Sequence, residues 1–152
     1  MSDDQLLPVL LAAHGPLASG LRDAIEMIAG PQERMEVVQL LPEDDVEGVS
    51  DRLEAALREL GVEQDGEAVI FADLFGAAPA NAAASLLRHR PNIEIVAGMN
   101  LPMLLEVLLG REGVSARDLA QSAVVAGRES IRDVGEVIRS ALAASKSAGG
   151  DG

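Results

Sequence analysis

Apolar positions in this chain fall into two kinds of run: short unbroken ones that stop on a polar residue, and longer ones spaced at helical periodicity. The first is Val9-Leu10-Leu11-Ala12-Ala13, which ends abruptly on His14 and is followed by Gly15-Pro16. A run of that length bounded by Gly-Pro reads as a buried strand, with Gly15 as an N-cap and Pro16 as the first helical residue. Leu17, Leu21, Ala24, Ile25 and Ile28 then recur at helical spacing until Gly30-Pro31 stops them. Met35 to Leu40, interrupted by Glu36 and Gln39 and closed by Pro42, reads as an outer strand. Val46, Val49, Leu53, Leu57 and Leu60 mark one face of a helix over 45–60, with Asp51, Arg52, Glu54, Arg58 and Glu59 largely on the other.

The third strand, Ala68-Val69-Ile70-Phe71-Ala72, ends on Asp73 as the first ends on His14. Leu74-Phe75-Gly76-Ala77-Ala78 is a turn, and Pro79 opens an Ala-rich helix expected to reach about Arg88. A fourth strand over 93–97 runs into Gly98-Met99-Asn100, and Pro102 opens a helix rich in Leu and Met. The last helical region is expected from near Ser115 to about Ala143, with a break near Gly127. Residues 144–152 are small and polar and read as a frayed, flexible C-terminal tail.

Strands alternating with helices imply a parallel sheet covered on both faces. The expected class is therefore α/β, a doubly wound, flavodoxin-like, mainly parallel sheet of order 2-1-3-4, built by residues 1–143 as one domain. Right-handed crossovers with that order place strands 1 and 3 side by side at the topological switch point, where ligands bind outside the carboxyl ends of strands. His14 and Asp73 then become neighbours.

Composition narrows what such a site can do. Only two of 152 residues, Phe71 and Phe75, are aromatic, so stacking on bases or sugar rings is not expected to carry function. A formal charge of −13 argues against binding nucleic acid, an affinity that rests on cations neutralising phosphates. The acidity reads as solvated helix faces, with steering of a basic partner as the sharper alternative. With no cysteine, disulfides, thiolate nucleophiles and Cys-ligated metals are excluded. No apolar stretch reaches about 18 residues, so no direct membrane insertion is expected. The acidic start, Met1-Ser2-Asp3-Asp4-Gln5, lacks the basic region of a signal peptide, and the cytoplasm is the expected compartment.

The chemistry converges on phosphate. A neutral imidazole is a nucleophile, and a carboxylate on one ring nitrogen fixes the tautomer and orients the other. His14 is the candidate nucleophile and Asp73 its candidate orienter. Gly15 at the start of the first helix, and the amides of Gly76, Ala77 and Ala78 before the third, are candidate phosphate donors, because unpaired N–H groups and the helix dipole attract anions. No cofactor and no metal is expected. Gly15-Pro16-Leu17-Ala18-Ser19-Gly20 superficially suggests a P-loop, but Leu21-Arg22 stand where Lys-Ser/Thr must follow. His89, between Arg88 and Arg90 at a helix end, reads as a surface residue. Asn100 either caps the next helix or lines the site. Met99, Met103 and the neighbouring leucines read as core or subunit contact. A small metal chelatase using His14 as a ligand, and a regulatory module whose phosphorylation state a partner reads, are the alternatives.

Three segments carry a family resemblance: Leu11-Ala12-Ala13-His14-Gly15; Phe71-Ala72-Asp73-Leu74-Phe75-Gly76-Ala77-Ala78-Pro79-Ala80-Asn81; and Val96-Ala97-Gly98-Met99-Asn100-Leu101-Pro102-Met103-Leu104. With them the chain resembles the enzyme IIA domains of the mannose class (mannose/fructose/sorbose type) of the bacterial phosphoenolpyruvate-dependent sugar phosphotransferase system. The resemblance implies that His14 receives a phosphoryl group on Nε2 from the histidine phosphocarrier protein and passes it to an enzyme IIB. It further implies that Asp73 holds the imidazole and that the domain forms a homodimer. The chain departs from the family pattern at Ala13 and Ala78, where Ser or Thr is usual. A hydroxyl at position 78 is expected to cap the third helix or contact the phosphate, and a missing N-cap typically costs about 1 kcal/mol.

Overall fold

All four expected strands form, and all run parallel: β1 (Val9–His14), β2 (Met35–Leu40), β3 (Ala68–Ala72) and β4 (Ile93–Ala97), ordered β2-β1-β3-β4. The computed structural model describes residues 5–74 and 76–150. The N-terminal residues 1–4, Phe75 and the end of the expected tail, 151–152, lie outside the described residues. Between and after the strands lie α1 (Leu17–Ala29), α2 (Val46–Glu59), α3 (Ala78–Leu86), α4 (Leu101–Leu109), α5 (Ala116–Glu129) and α6 (Val134–Ala148).

The unbroken apolar runs are explained by burial on both faces of the sheet. Successive side chains of β1 and β3 point to opposite sides. Val9, Leu11, Ala13, Val69 and Phe71 pack with residues of α1, α4 and α5, including Ile25, Leu104 and Leu119. Leu10, Ala12, Ala68 and Ile70 pack with α2 and α3 through Val49, Leu53, Leu57, Ala82 and Leu86. The fold is thus doubly wound, and β1 and β3 are adjacent, with Leu11 opposite Phe71 and Ala12 opposite Ala72.

Helix boundaries differ from expectation where backbone geometry intervenes. Gly15 is not the N-cap of α1: it adopts φ +54° and donates its N–H to Leu40 O at 2.8 Å, turning the chain sharply off the strand. Pro16 is the cap position instead, and α1 starts at Leu17. The break expected near Gly127 lies at 130–133, between α5 and α6. Gly127 stays helical and buried because the Met103 side chain occupies the space above it; a Cβ there would approach Met103 Cε to 2.5 Å. Past the break Asp133 caps α6 by accepting from the Glu136 N–H, and the helix continues to Ala148, through part of the stretch expected to fray.

Among the described residues two arginines are buried, and neither was anticipated. Arg111 is 1% exposed; its guanidinium donates to Leu7 O, Arg34 O and Glu33 O, tying the β1 approach to the turn before β2. Desolvation, with the nearby Arg34 charge, lowers its pKa to about 10 against the opposing pull of Glu33. Arg90 is not a surface residue beside His89: it forms two parallel bonds to Glu54, at 2.8 and 2.7 Å, and donates to Val62 O and Glu63 O. His89 is exposed, as expected. Cutting Arg90 away leaves Glu54 and two carbonyls without their donor, and breaking a buried pair costs about 3–5 kcal/mol. Glu54 keeps partial exposure and Arg58 nearby, so Arg90→Met is expected to lose about 2–3 kcal/mol of stability in urea unfolding.

Candidate functional site

β1 and β3 deliver their terminal residues to the same sheet edge, and there His14 and Asp73 meet. The His14 Nδ1 lies 2.7 Å from Asp73 Oδ2. The same oxygen accepts the His14 backbone N–H at 3.0 Å, while Oδ1 accepts the Leu74 N–H at 2.9 Å. One carboxylate therefore fixes both the backbone and the ring of His14. Burial pushes the Asp73 carboxyl upward, but the two His14 bonds, the charge interaction with His14 and the Leu74 N–H outweigh it, holding the pKa below its ordinary value.

The geometry has a chemical consequence. An ionised carboxylate accepts only, so the nitrogen facing Asp73 carries a proton, and in the neutral ring Nε2 then keeps its lone pair. The His14 side chain is 48% exposed while that of Asp73 is 9% exposed. A largely buried carboxylate thus holds a half-exposed imidazole.

The expected phosphate donors divide. Gly15 lies beside His14, but its N–H is already given to Leu40 O, so it is not an anion donor. Gly76, Ala77 and Ala78 lie on the loop after Asp73, at the same carboxyl edge of the sheet. Gly76 has φ +77°, a left-handed turn suited to glycine. Ala77 is the N-cap of α3, with extended φ −90° and ψ 168° and no side-chain cap. Ala78 is the first helical residue, so the missing capping hydroxyl belongs at position 77 rather than 78. N–H groups of a first helical turn have no intrahelical acceptor, and Ala78 stands in that turn at the start of α3. Ala77→Ser supplies a cap on an already extended backbone and is expected to add about 1 kcal/mol to stability, read as a higher urea midpoint.

Sequence reasoning gave no role to Asn81. Its Nδ2 donates back to Gly76 O at 3.3 Å, bracing the loop from inside α3. A side-chain amide one turn into a helix that opens without a capping residue is the signal that could have found it. Asn100 resolves to the capping role: Oδ1 accepts the Met103 N–H at 3.0 Å, and Nδ2 reaches Gly127 O at 3.2 Å. Met99 and Met103 are core residues.

Among the described residues no group of three or more His, Asp or Glu side chains is arranged to hold a metal ion, so His14 and Asp73 are the donors a chelatase reading would have. No helix of the described residues is long and apolar enough to cross a membrane. A polar cleft of about 730 Å³ between α2 and α3 is lined by Arg58, Arg88 and His89. It lies toward the end of α3 that leads into β4, away from the carboxyl edge that bears His14 and Asp73.

Comparison with known proteins finds relatives in sequence and in fold. Residues 8–124 match the EIIA-man family, described as the PTS system fructose IIA component. The fructose-specific EIIA component of Bacillus subtilis is 28% identical over 127 residues, 84% of this chain and 86% of that one. The sorbose-specific EIIA component of Lacticaseibacillus casei is 31% identical over 113 residues, 74% of this chain and 80% of its own length. The mannose-specific EIIAB component of Escherichia coli K12 is 29% identical across 83% of this chain, a match that spans 39% of that longer protein. Among solved structures, the mannose/sorbose-specific IIA subunit from Enterococcus faecalis superposes with a TM-score of 0.77 at 26% identity, covering 84% of this chain and 94% of that one.

Proposed function

This chain belongs to the EIIA-man family of PTS IIA components, and from that premise we propose that His14 carries a phosphoryl group on Nε2 between two protein partners. The donor is the histidine phosphocarrier protein and the acceptor an enzyme IIB, in the cytoplasm. The observation that carries this reading is the single 2.7 Å contact between His14 Nδ1 and Asp73 Oδ2, which commits one nitrogen and leaves the other open.

The step balances without an outside base. The Nε2 lone pair attacks the phosphorus of the donor phosphohistidine; the donor N–P bond breaks and its electron pair returns to the donor imidazole. The His14 Nδ1–H stays on Asp73, whose negative charge stabilises the ring as it gains positive character. Phosphoryl transfer rests on positioning and charge stabilisation, and the backbone amides of Gly76, Ala77 and Ala78 at the start of α3 suit the equatorial oxygens. Leu17 and Leu74, both exposed and both beside the strand ends that bear His14 and Asp73, offer a protein partner apolar footing. A homodimer, which the family resemblance implies, belongs to the same proposal.

The test is a relay. With phosphoenolpyruvate, the general phosphotransfer enzyme and the phosphocarrier, the chain is expected to take up one acid-labile phosphate and to lose it when a mannose-class IIB is added. Failure to take up phosphate overturns the proposal. Uptake with no transfer to any IIB favours the regulatory alternative instead.

A further inference from the structure

Among the described residues, side chains hold the loop between β3 and α3 at two points. Asp73 Oδ1 accepts the Leu74 N–H at 2.9 Å, and Asn81 Nδ2 donates to Gly76 O at 3.3 Å. Ala77, the N-cap of α3, adds no side-chain bond, and the first turn carries no acidic residue. Asn81 itself stands exposed in the run Ala77-Ala78-Pro79-Ala80-Asn81-Ala82-Ala83-Ala84, where it is a poorer helix former than alanine and buries nothing. Its partner is a carbonyl oxygen, so only the NH2 end of the amide can face it. Neither the helix nor the core needs an amide at this position.

From this arrangement we infer that Asn81 is a positioning residue for phosphoryl transfer at His14: by holding the Gly76 carbonyl toward α3, it sets the Ala77 N–H to receive a phosphate oxygen. The inference rests on the phosphocarrier reading of the preceding section. A trans peptide unit is planar, with its C=O and N–H pointing opposite ways, and no cis bond occurs among the described residues. Gly76 O and the Ala77 N–H belong to one such unit. Once Asn81 draws the carbonyl to the helix, the N–H is turned away from it. That N–H meets no backbone acceptor among the described residues and is open to a ligand. The loop that carries it leaves the sheet from Asp73, the residue that grips the His14 ring.

Glycine explains why an outside bond is needed. Gly76, at φ +77°, lets the peptide that follows it rotate more freely than any other residue would, so its orientation is decided by what holds the carbonyl. With alanine at the cap position, Asn81 holds it alone. An amide also suits the place chemically. It donates without bringing negative charge beside the phosphate, whereas Asp at position 81 has no donor when ionised and adds a charge.

The test uses the full chain labelled with ¹⁵N. When the wild type is phosphorylated through phosphoenolpyruvate, the general phosphotransfer enzyme and the phosphocarrier, its Ala77 amide proton is expected to move downfield on gaining a charged acceptor. The same resonance is expected to move less in Asn81→Ala. Single-turnover transfer at saturating phosphorylated carrier is expected to slow about 10-fold in Asn81→Ala, the worth of one hydrogen bond, with the half-saturating carrier concentration unchanged within about twofold. Asn81→Asp is expected to slow it further. A wild type that takes up no phosphate overturns the phosphocarrier reading and this inference with it. A phosphorylated wild type whose Ala77 amide does not move, or an Asn81→Ala that transfers at the wild-type rate, overturns the inference and leaves that reading standing. So does slow transfer in Asn81→Ala with the Ala77 amide still moving as in wild type, the result that a merely structural Asn81 gives.

Discussion

His14→Ala is expected to abolish phosphate uptake from the phosphocarrier, below the detection limit of a radiolabel assay, while the protein unfolds in urea within about 1 kcal/mol of wild type. Alanine removes the only nitrogen nucleophile at the carboxyl edge of β1. His89, past the C-terminal end of α3, has among the described residues no carboxylate partner comparable to Asp73. The fold tolerates the change because the His14 ring is half exposed and contributes little buried apolar area. The backbone N–H of residue 14 still donates to Asp73, so the strand end is held without the imidazole. Labelling of His14→Ala at the wild-type level would move the phosphate to another residue.

Asp73→Asn is expected to slow transfer by about 10² to 10⁴-fold with the fold retained, because an amide can meet Nδ1 as donor or acceptor and no longer enforces the tautomer that frees Nε2. Single-turnover transfer from phosphorylated carrier reads the effect directly; an unchanged rate would remove Asp73 from the mechanism. The same variant has a stability signature. The Asp73 carboxyl titrates below its ordinary value of 3.8 in the folded chain, so the ionised form is bound more tightly by the fold than by the unfolded chain. That contribution is fully present above the ordinary value and is lost as pH falls through the lowered one. Wild type is therefore expected to exceed Asp73→Asn in urea midpoint at neutral pH, and the gap is expected to close under strongly acidic conditions.

The site was legible because its information is local. A strand that stops on a chemically able residue, repeated at His14 and Asp73, needs only the order of strands to bring the two together. That order follows from alternation and right-handed crossovers. The supporting cast was less legible, for physical reasons. Arg90 and Arg111 are buried against carbonyl oxygens of distant segments, and a carbonyl leaves no mark in the sequence. Gly15 carried the signature of a cap, yet its N–H extends the ladder to β2, a choice set by register. Gly127 carried the signature of a break, yet it is small because Met103 sits on it. The separate status of α6 was hidden because its apolar spacing continues that of α5 across the turn at 130–133.

The central claim is that the phosphate resides on one nitrogen of one residue, selected by the carboxylate on the other. Phosphorylating ¹⁵N-histidine-labelled protein and recording the long-range ¹H–¹⁵N spectrum of the ring tests it most directly. The account predicts one phosphoramidate per chain, on Nε2 of His14, with Nδ1 protonated against Asp73. Phosphate on Nδ1, or on any other residue, would contradict it.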